Sequence, residues 1–465
     1  MMRPAVTGSA PPRAREGDRG VAVRDRAVLA LLRVEAGAHS DQVLSAAPRG
    51  GSAPRGESTH RDDALLRELV LGVLRHRSWL DAAIAPCSKR PLASLDPVLL
   101  QALRVAAYQM LRLDRVPAPA AVSTAVSVVR RRSGPATAAY ANAVLRALER
   151  RKTEARPRGA LEILHSHPEW LIERLAAAAP PPGIEALLRA HNTPPPVGLR
   201  AVPLEDGAVG PPDGAEPSPW LPGAWRARSV TPGALERVRE GSLYIQDEAS
   251  MLVGLMCRPA ARDGEPGTVL DLCAAPGGKS LAALERGARV AACDRQRTRL
   301  RRLRENLDRT AHRLPGVPAV VLADAARPPF ATAAADLVIL DAPCSGTGVI
   351  RRHPEIRWRL TSQAVAAHAA RQAALLRAAM ACVAPGGHLI YSVCSVLPEE
   401  GEDVVRSSLA EDAGFAIEDP RPLLPRTAHA LVGDDGFLRT WPHRDGLDGH
   451  CAVRLRRRRA GEGTG

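Results

Sequence analysis

From residue 269 onward, short apolar runs alternate with helical ones, and this alternation constrains the fold more tightly than any other feature of the chain. Residues 269–272 read as a strand and 279–285 as a helix; 289–292 and 298–307 repeat the pair. Strands at 317–322 and 337–340 follow, then a helix from about 364 to 382 and a strand at 388–391. Strands separated by helix-length segments cannot be joined as hairpins, so they pair in parallel. The expectation is a doubly wound, Rossmann-like α/β sheet that binds ligands at the carboxyl ends of its strands.

The first of these strands runs into Asp271-Leu-Cys-Ala-Ala-Pro-Gly-Gly-Lys279. Gly277 and Gly278 allow close backbone approach ahead of a helix whose N-terminus faces the ligand. Asp294 ends the next strand, roughly 20 residues past the turn, where an acidic side chain accepts hydrogen bonds from ribose hydroxyls. Asp324 ends the third strand in the same way. Three ligands compete for this turn. A nicotinamide dinucleotide wants G-x-G-x-x-G, which the loop lacks; a nucleoside triphosphate wants G-x-x-x-x-G-K-[ST], of which Gly278-Lys279-Ser280 imitates only the end, with Cys273 where the first Gly belongs. S-adenosylmethionine (SAM) carries no phosphate and needs neither loop, so it is favoured. Alone, an Ala-Pro-Gly-Gly turn is more often a plain connection; its coincidence with Asp294, Asp324 and a downstream cysteine loop lifts it above that.

That loop is Asp341-Ala-Pro-Cys-Ser-Gly-Thr-Gly348, and a second cysteine stands in Tyr391-Ser-Val-Cys-Ser395. Cys344 and Cys394 each fall just past a strand, among turn-forming residues rather than in an apolar stripe. Cytosine C5 is a poor nucleophile, but a thiolate added at C6 turns the ring into an enamine-like species that can accept a methyl group, so covalent catalysis splits one hard step into two. A free thiol of pKa ~8.5 is only slightly ionised at neutral pH and needs local activation. Asp341, stiffened against Cys344 by Pro343, can bond N3 or the exocyclic amine of an unstacked cytosine. The other cysteines read differently: Cys87, Cys257, Cys382 and Cys451 as small buried hydrophobes, Cys273 and Cys293 as packing or backbone positions near the cofactor. No C-x-x-C pair or zinc-like spacing occurs, so no metal site is expected and a reduced compartment is the simpler reading.

Upstream the periodicity is helical. Stripes at 24–38 and 63–79, a helix capped by Asp96 with Pro97 in its first turn, and runs at 120–132 and 136–148 predict an all-α unit over 22–150. Residues 1–21 read as a disordered leader without the apolar segment of a secretory signal, and 458–465 as a disordered tail. Between 151 and 240, charged and proline-rich stretches predict a linker and a small irregular connector, and 241–457 form the α/β domain.

At these motifs the chain resembles the RNA (cytosine-5) methyltransferases, in particular the Sun/Fmu/RsmB branch that modifies small-subunit ribosomal RNA. The resemblance is carried by Tyr244-Ile-Gln-Asp-Glu-Ala-Ser250, the glycine turn, the two cysteine loops, Arg352-His-Pro-Glu-Ile-Arg-Trp358 and Ser166-His-Pro-Glu-Trp170. The helical unit, with Tyr140-Ala-Asn-Ala-Val-Leu-Arg146, resembles the family's NusB-like RNA-binding domain. The resemblance implies that Cys394 attacks C6 and that Cys344 assists proton removal and release of the product. It implies a SAM site lined by Cys273, Ala274, Ala275, Pro276, Gly277, Gly278, Lys279, Asp294, Asp324 and Asp341. One departure lies near the end of the chain, where His450 and Cys451 follow Asp448-Gly449 in place of the family's aromatic residues.

A formal charge of +14 favours a polyanionic partner, and 16S ribosomal RNA is the one the resemblance implies. Arg130–Arg132, the arginines from 295 to 304, and Arg456–Arg459 are candidate contacts, each equally readable as a solvated face. Aromatic residues make up only 3% of the chain, so phosphate contacts and RNA shape are expected to outweigh base stacking. No stretch approaches the ~18 apolar residues of a spanning helix, so a cytoplasmic protein without a membrane partner is expected, and nothing calls for an obligate protein partner. Two alternatives stay open: the same chemistry on transfer RNA or another RNA, and a non-catalytic RNA-binding or antitermination factor.

Overall fold

The computed structural model describes residues 16–45, 57–151, 157, 159–204, 209–259, 266–459 and 461. The expected leader up to residue 15 and the tail from 462 lie outside them, while 16–21 already belong to a helix, Glu16–Glu35. The chain divides into two compact bodies, the first up to Pro168 together with His353–Glu355, the second comprising Glu169–Arg352 and the residues from Ile356 onward.

The first body is helical: Glu16–Glu35, Ser40–Ser45, Glu57–Arg75, Arg77–Ile84, Pro97–Arg112, Ala118–Arg150 and the short Leu161–Leu164. Asp96 caps its helix as the sequence suggests, its carboxylate accepting the Leu99 N–H at 3.0 Å. The expected stripe buries Leu99, Leu103, Ala107 and Met110. The run read as one helix over 63–79 is interrupted at His76, whose φ of −117° and ψ of 22° are not helical. Trp79 therefore belongs to the next helix, where its N–H is satisfied by Ser166 Oγ at 3.1 Å. The two runs read at 120–132 and 136–148 lie in one span kinked at Gly134, where φ is 86°, just before Pro135.

The second body carries twelve strands among the described residues. A four-stranded antiparallel sheet has the order β2-β3-β1-β4, from β1 (Val197–Ala201), β2 (Ala215–Pro217), β3 (Ala224–Ala227) and β4 (Leu243–Ile245). β1 to β3 fall in the segment read as an irregular connector, and β4 lies just past its expected end at 240. Its prolines hide the strands, but Ala201, Trp225, Val238 and Leu243 supply a small core of their own.

The larger sheet comprises β5 (Thr268–Asp271), β6 (Arg289–Asp294), β7 (Val317–Leu322), β8 (Ala335–Asp341), β9 (Val383–Val393), β10 (Phe415–Glu418), β11 (Leu438–Thr440) and β12 (His450–Arg457). Its order is β10-β12-β9-β8-β5-β6-β7, with β11 also on β12. From β9 to β7 every pairing is parallel, as expected; β12 runs antiparallel to β9, and β10 and β11 antiparallel to β12, so the full sheet is mixed. The central strands are buried on both faces: Val269, Leu337, Ile339 and Ile390 pack on one side, Leu270, Val338, Leu340 and Leu389 on the other. Covering both faces is why these strands read as unbroken apolar runs. His450 and Cys451 open β12 and are buried, Cys451 in register with Val393.

Two adjacent arginines tie the segments of this body together. Arg352 bonds Asp247 at 3.0 Å and the Pro196 carbonyl at 3.1 Å, and its Nε pairs with Asp448, which Arg351 also holds. Asp448 is fully buried, so removing Arg352 leaves its charge to Arg351 alone and strips the ion-pair partner from Asp247. Arg352→Ala is expected to destabilise this body by of order 3 kcal/mol, read as a lowered midpoint in urea unfolding.

Candidate active site

Parallel register sets the site. Asp271 pairs with Ile339 and Asp341 with Ser392, so β5, β8 and β9 end along one edge and release the glycine turn and both cysteine loops side by side. A cavity of about 370 Å³ opens there. Its walls include Cys273 and Ala275 from the turn, Asp294, Asp324, Asp341, and both Cys344 and Cys394.

The two sulfurs, fifty residues apart in sequence, are 3.3 Å apart and unoxidised. The Cys394 sulfur against it, together with burial and the nearby Glu400 carboxylate, holds the Cys344 thiol well above its usual pKa. Burial also pushes Cys257, Cys273 and Cys293 up to about 12, so those three remain neutral thiols at physiological pH.

Asp341 accepts from Lys279 Nζ at 2.7 Å and from Ser392 Oγ at 2.6 Å. Burial works to raise its pKa, but the lysine charge and these hydrogen bonds outweigh it, and the carboxyl is held below its usual value. Lys279 is itself buried and is raised by the same pair. In a chain with 64 basic residues of which only Lys89, Lys152 and Lys279 are lysines, a compact ammonium group fits this enclosed position.

The glycine turn is braced from behind by Tyr244-Ile-Gln-Asp-Glu-Ala-Ser250. Tyr244 OH and Asn306 Nδ2 donate to the Pro276 carbonyl at 3.2 and 2.8 Å, and Ser250 Oγ lies 3.4 Å from Lys279 Nζ. A Cβ on Gly278 would lie 2.5 Å from the Gln246 side chain; one on Gly277, where φ is 113°, would lie 2.9 Å from Leu303. The positive φ thus calls for glycine at 277, while a side chain at 278 would have to displace the Gln246 amide. Of the cofactor positions read from sequence, Cys273, Ala275, Asp294, Asp324 and Asp341 line the cavity; Ala274, Pro276, Gly277, Gly278 and Lys279 shape its edge without lining it.

Asp294 is nearly enclosed, with one carboxylate oxygen accepting the Gln296 N–H at 2.8 Å, and Asp324 likewise accepts the Ala326 N–H at 3.0 Å. Each keeps acceptor capacity for a ligand's hydroxyl or amino groups. The volume suits a nucleoside-sized ligand, and the walls present no lysine-and-glycine cradle for phosphates. The donor set therefore fits SAM. Arg295, Arg299 and Arg371 also border the cavity, and sequence reading had not placed Arg371 there. Among the described residues no cluster of His, Cys, Asp and Glu could hold a metal ion, and no helix is long and apolar enough to cross a membrane.

A phosphate-free nucleoside site at the carboxyl ends of a parallel sheet defines the class as a SAM-dependent methyltransferase. The chain belongs to the family of 16S rRNA methyltransferases described as RsmB/F, whose sequence profile matches residues 260–456, and the NusB family profile matches 21–150. It is 34% identical to ribosomal RNA small subunit methyltransferase B of Salmonella typhi, covering 81% of this chain and 89% of that protein. A Bacillus subtilis relative named "probable ribosomal RNA small subunit methyltransferase B" is 30% identical over 94% of this chain and 99% of its own length. The crystal structure of PH0851 has the same fold, with a TM-score of 0.73, 24% identity, and coverage of 96% of this chain and 99% of that one. The chain is thus a helical NusB domain followed by an α/β SAM-dependent methyltransferase domain.

Asp271, at the end of β5, carries a separate consequence. Burial pushes its carboxyl up to about 7, against the opposing bond from Ser280 Oγ at 2.6 Å. A carboxyl with a raised folded-state pKa binds a proton that the unfolded chain releases nearer pH 4. Its contribution to stability is therefore full below that value and is lost as pH rises to about 7. Asp271→Asn should remove this part of the pH dependence of unfolding, measured by urea titrations between about pH 4 and 8.

Proposed function

We propose that the protein methylates C5 of a cytosine in 16S ribosomal RNA through a covalent bond from Cys394 to C6. The observation that carries this reading is the meeting of two thiols at 3.3 Å on the wall of the cofactor cavity, beside the ion-paired Asp341. One nucleophile needs one cysteine; a pair in contact fits a reaction that must make and then break a carbon–sulfur bond.

Bound SAM supplies an electrophilic methyl group. Asp341, kept ionised by Lys279, accepts a hydrogen bond from the exocyclic amine of the base and orients it over the thiols. The Cys394 thiolate adds to C6, which gives C5 its nucleophilic character. Once C5 carries the methyl group, the C5 proton passes to a water molecule that the Cys344 thiol helps to place; the electron pair of that C–H bond re-forms the C5–C6 double bond and the C6–S bond breaks, returning the thiolate to Cys394.

The substrate assignment rests on the relatives' names, on the NusB domain, and on charge placement. Of the three basic clusters, the helix Arg297–Thr310 adjoins the cavity: Arg295 and Arg299 line it, and Arg297, Arg301, Arg302 and Arg304 are exposed. These suit phosphates flanking an unstacked base. Ribosomal RNA as substrate places the protein in the cytoplasm.

Incubation with labelled SAM and deproteinised 16S RNA or small subunits should label a cytosine at C5. Cys394→Ala should abolish transfer, whereas Cys344→Ala should trap a protein–RNA adduct that survives denaturing electrophoresis. Absence of transfer to both substrates would sink the reading, and an adduct from Cys394→Ala would reverse the two roles.

A further inference from the structure

Glu400 lies six residues past Cys394 and is fully buried. A carboxylate withdrawn from water is costly unless its lone pairs are used. Its Oε1 accepts the Ser345 N–H at 2.7 Å and lies 3.4 Å from Gln372 Nε2; its Oε2 accepts the Ser395 hydroxyl at 2.6 Å and the Ser345 hydroxyl. Ser345 follows Cys344 and Ser395 follows Cys394, so one side chain holds the residue after each cysteine. Gln372 Nε2 extends the grip by donating to the Pro343 carbonyl at 3.0 Å. The Glu400 backbone is anchored in turn, its carbonyl accepting Tyr391 OH at 2.6 Å.

We propose that Glu400 is a positioning residue, the buried carboxylate that fixes the two cysteine-bearing loops in the register at which their thiols meet. The proposal rests on the reading of the two cysteines given above and deepens it. No part of Glu400 lines the cavity, so it acts through Ser345 and Ser395 rather than on a substrate. Its charge has a second effect, disfavouring a thiolate at Cys344. A glutamine in its place keeps the shape but offers one acceptor oxygen where the carboxylate offers two, and it removes the charge.

The test compares full-length Glu400→Gln with wild type by two measurements. Alkylation of Cys344 by iodoacetamide is followed against pH by peptide mass spectrometry, with neither SAM nor RNA present. Methyl transfer to 16S RNA gives kcat and KM. The alkylation midpoint of Cys344 is expected to move to lower pH, and kcat to fall by roughly ten- to a hundredfold, as for a misplaced reacting group. KM for SAM and for RNA should stay within about twofold, because the lost interaction matters only during reaction. A kcat within about twofold of wild type, or a loss confined to KM, overturns the proposal whatever the midpoint does. If Glu400→Gln does not fold, Ser395→Ala, which removes one hydroxyl from the same carboxylate, decides by the same kcat and KM criteria. If wild type itself transfers no methyl group to RNA, the C5 reading fails separately, and the rate at which the oxidant diamide joins Cys344 to Cys394 as a disulfide decides for Glu400, a rate unchanged in Glu400→Gln overturning the proposal.

Discussion

Asp341 pairs in register with Ser392, and Asp271 with Ile339, and the chemistry of this protein depends on those two pairings being parallel. In a parallel sheet every strand ends at the same edge, so residues far apart in sequence arrive together without a dedicated device. Cys273, Cys344 and Cys394 each lie one to three residues past a strand end, and all three border one cavity. A one-residue slip of β9 against β8 would turn Ser392 away from Asp341 and carry the Cys394 loop off its partner. That slip is resisted on both faces of the sheet, where Ile339 and Ile390 pack on one side and Leu340 and Tyr391 on the other.

Within that frame two neighbouring carboxyl groups, which would repel if both were ionised, are treated differently by their surroundings. Asp271 and Asp341 terminate adjacent strands, yet burial favours a protonated Asp271 while Lys279 keeps Asp341 ionised. The two carboxyl groups are thus driven in opposite directions by their surroundings, Asp271 upward and Asp341 downward. The thiols follow the same logic. Buried cysteines with no part in the cavity stay neutral, and at the pair Cys344 retains its proton.

The alternation from residue 269 made the parallel core legible, because strands buried on both faces leave continuous apolar runs and helices leave spaced ones. Antiparallel β10, β11 and β12 left no such trace: Arg454, Arg456 and Arg457 interrupt β12, and Arg454 is buried only because it bonds Glu418 and the Met256 and Arg258 carbonyls. The connector was obscured in the same way by its prolines. At the site, Cys344, Cys394, Asp294, Asp324 and Asp341 were readable from their places after strands. The reason for Gly277 and Gly278 was not, because Leu303 and Gln246, which crowd them, come from other elements. Glu400 was invisible for the same reason: a glutamate in a Pro-Glu-Glu run reads as solvated, and only the fold shows that four donors enclose it.

The position of Gly348 shows how little freedom the cysteine loops have. A Cβ there would lie 1.9 Å from the Gly449 carbonyl oxygen, and the two glycines are joined by a hydrogen bond from Gly449 N–H to the Gly348 carbonyl at 2.8 Å. Gly348 N–H in turn donates to the Cys394 carbonyl at 3.0 Å. The Cys344 loop is therefore pinned to the Cys394 loop on one side and to the start of β12 on the other. On the proposed mechanism two thiols act in sequence on one ring and cannot each search for their position, since displacement of a reacting group by about 1 Å can cost a hundredfold in rate. The antiparallel strand that the sequence concealed is thus part of the catalytic framework, because it holds Gly449 where only a glycine can face it.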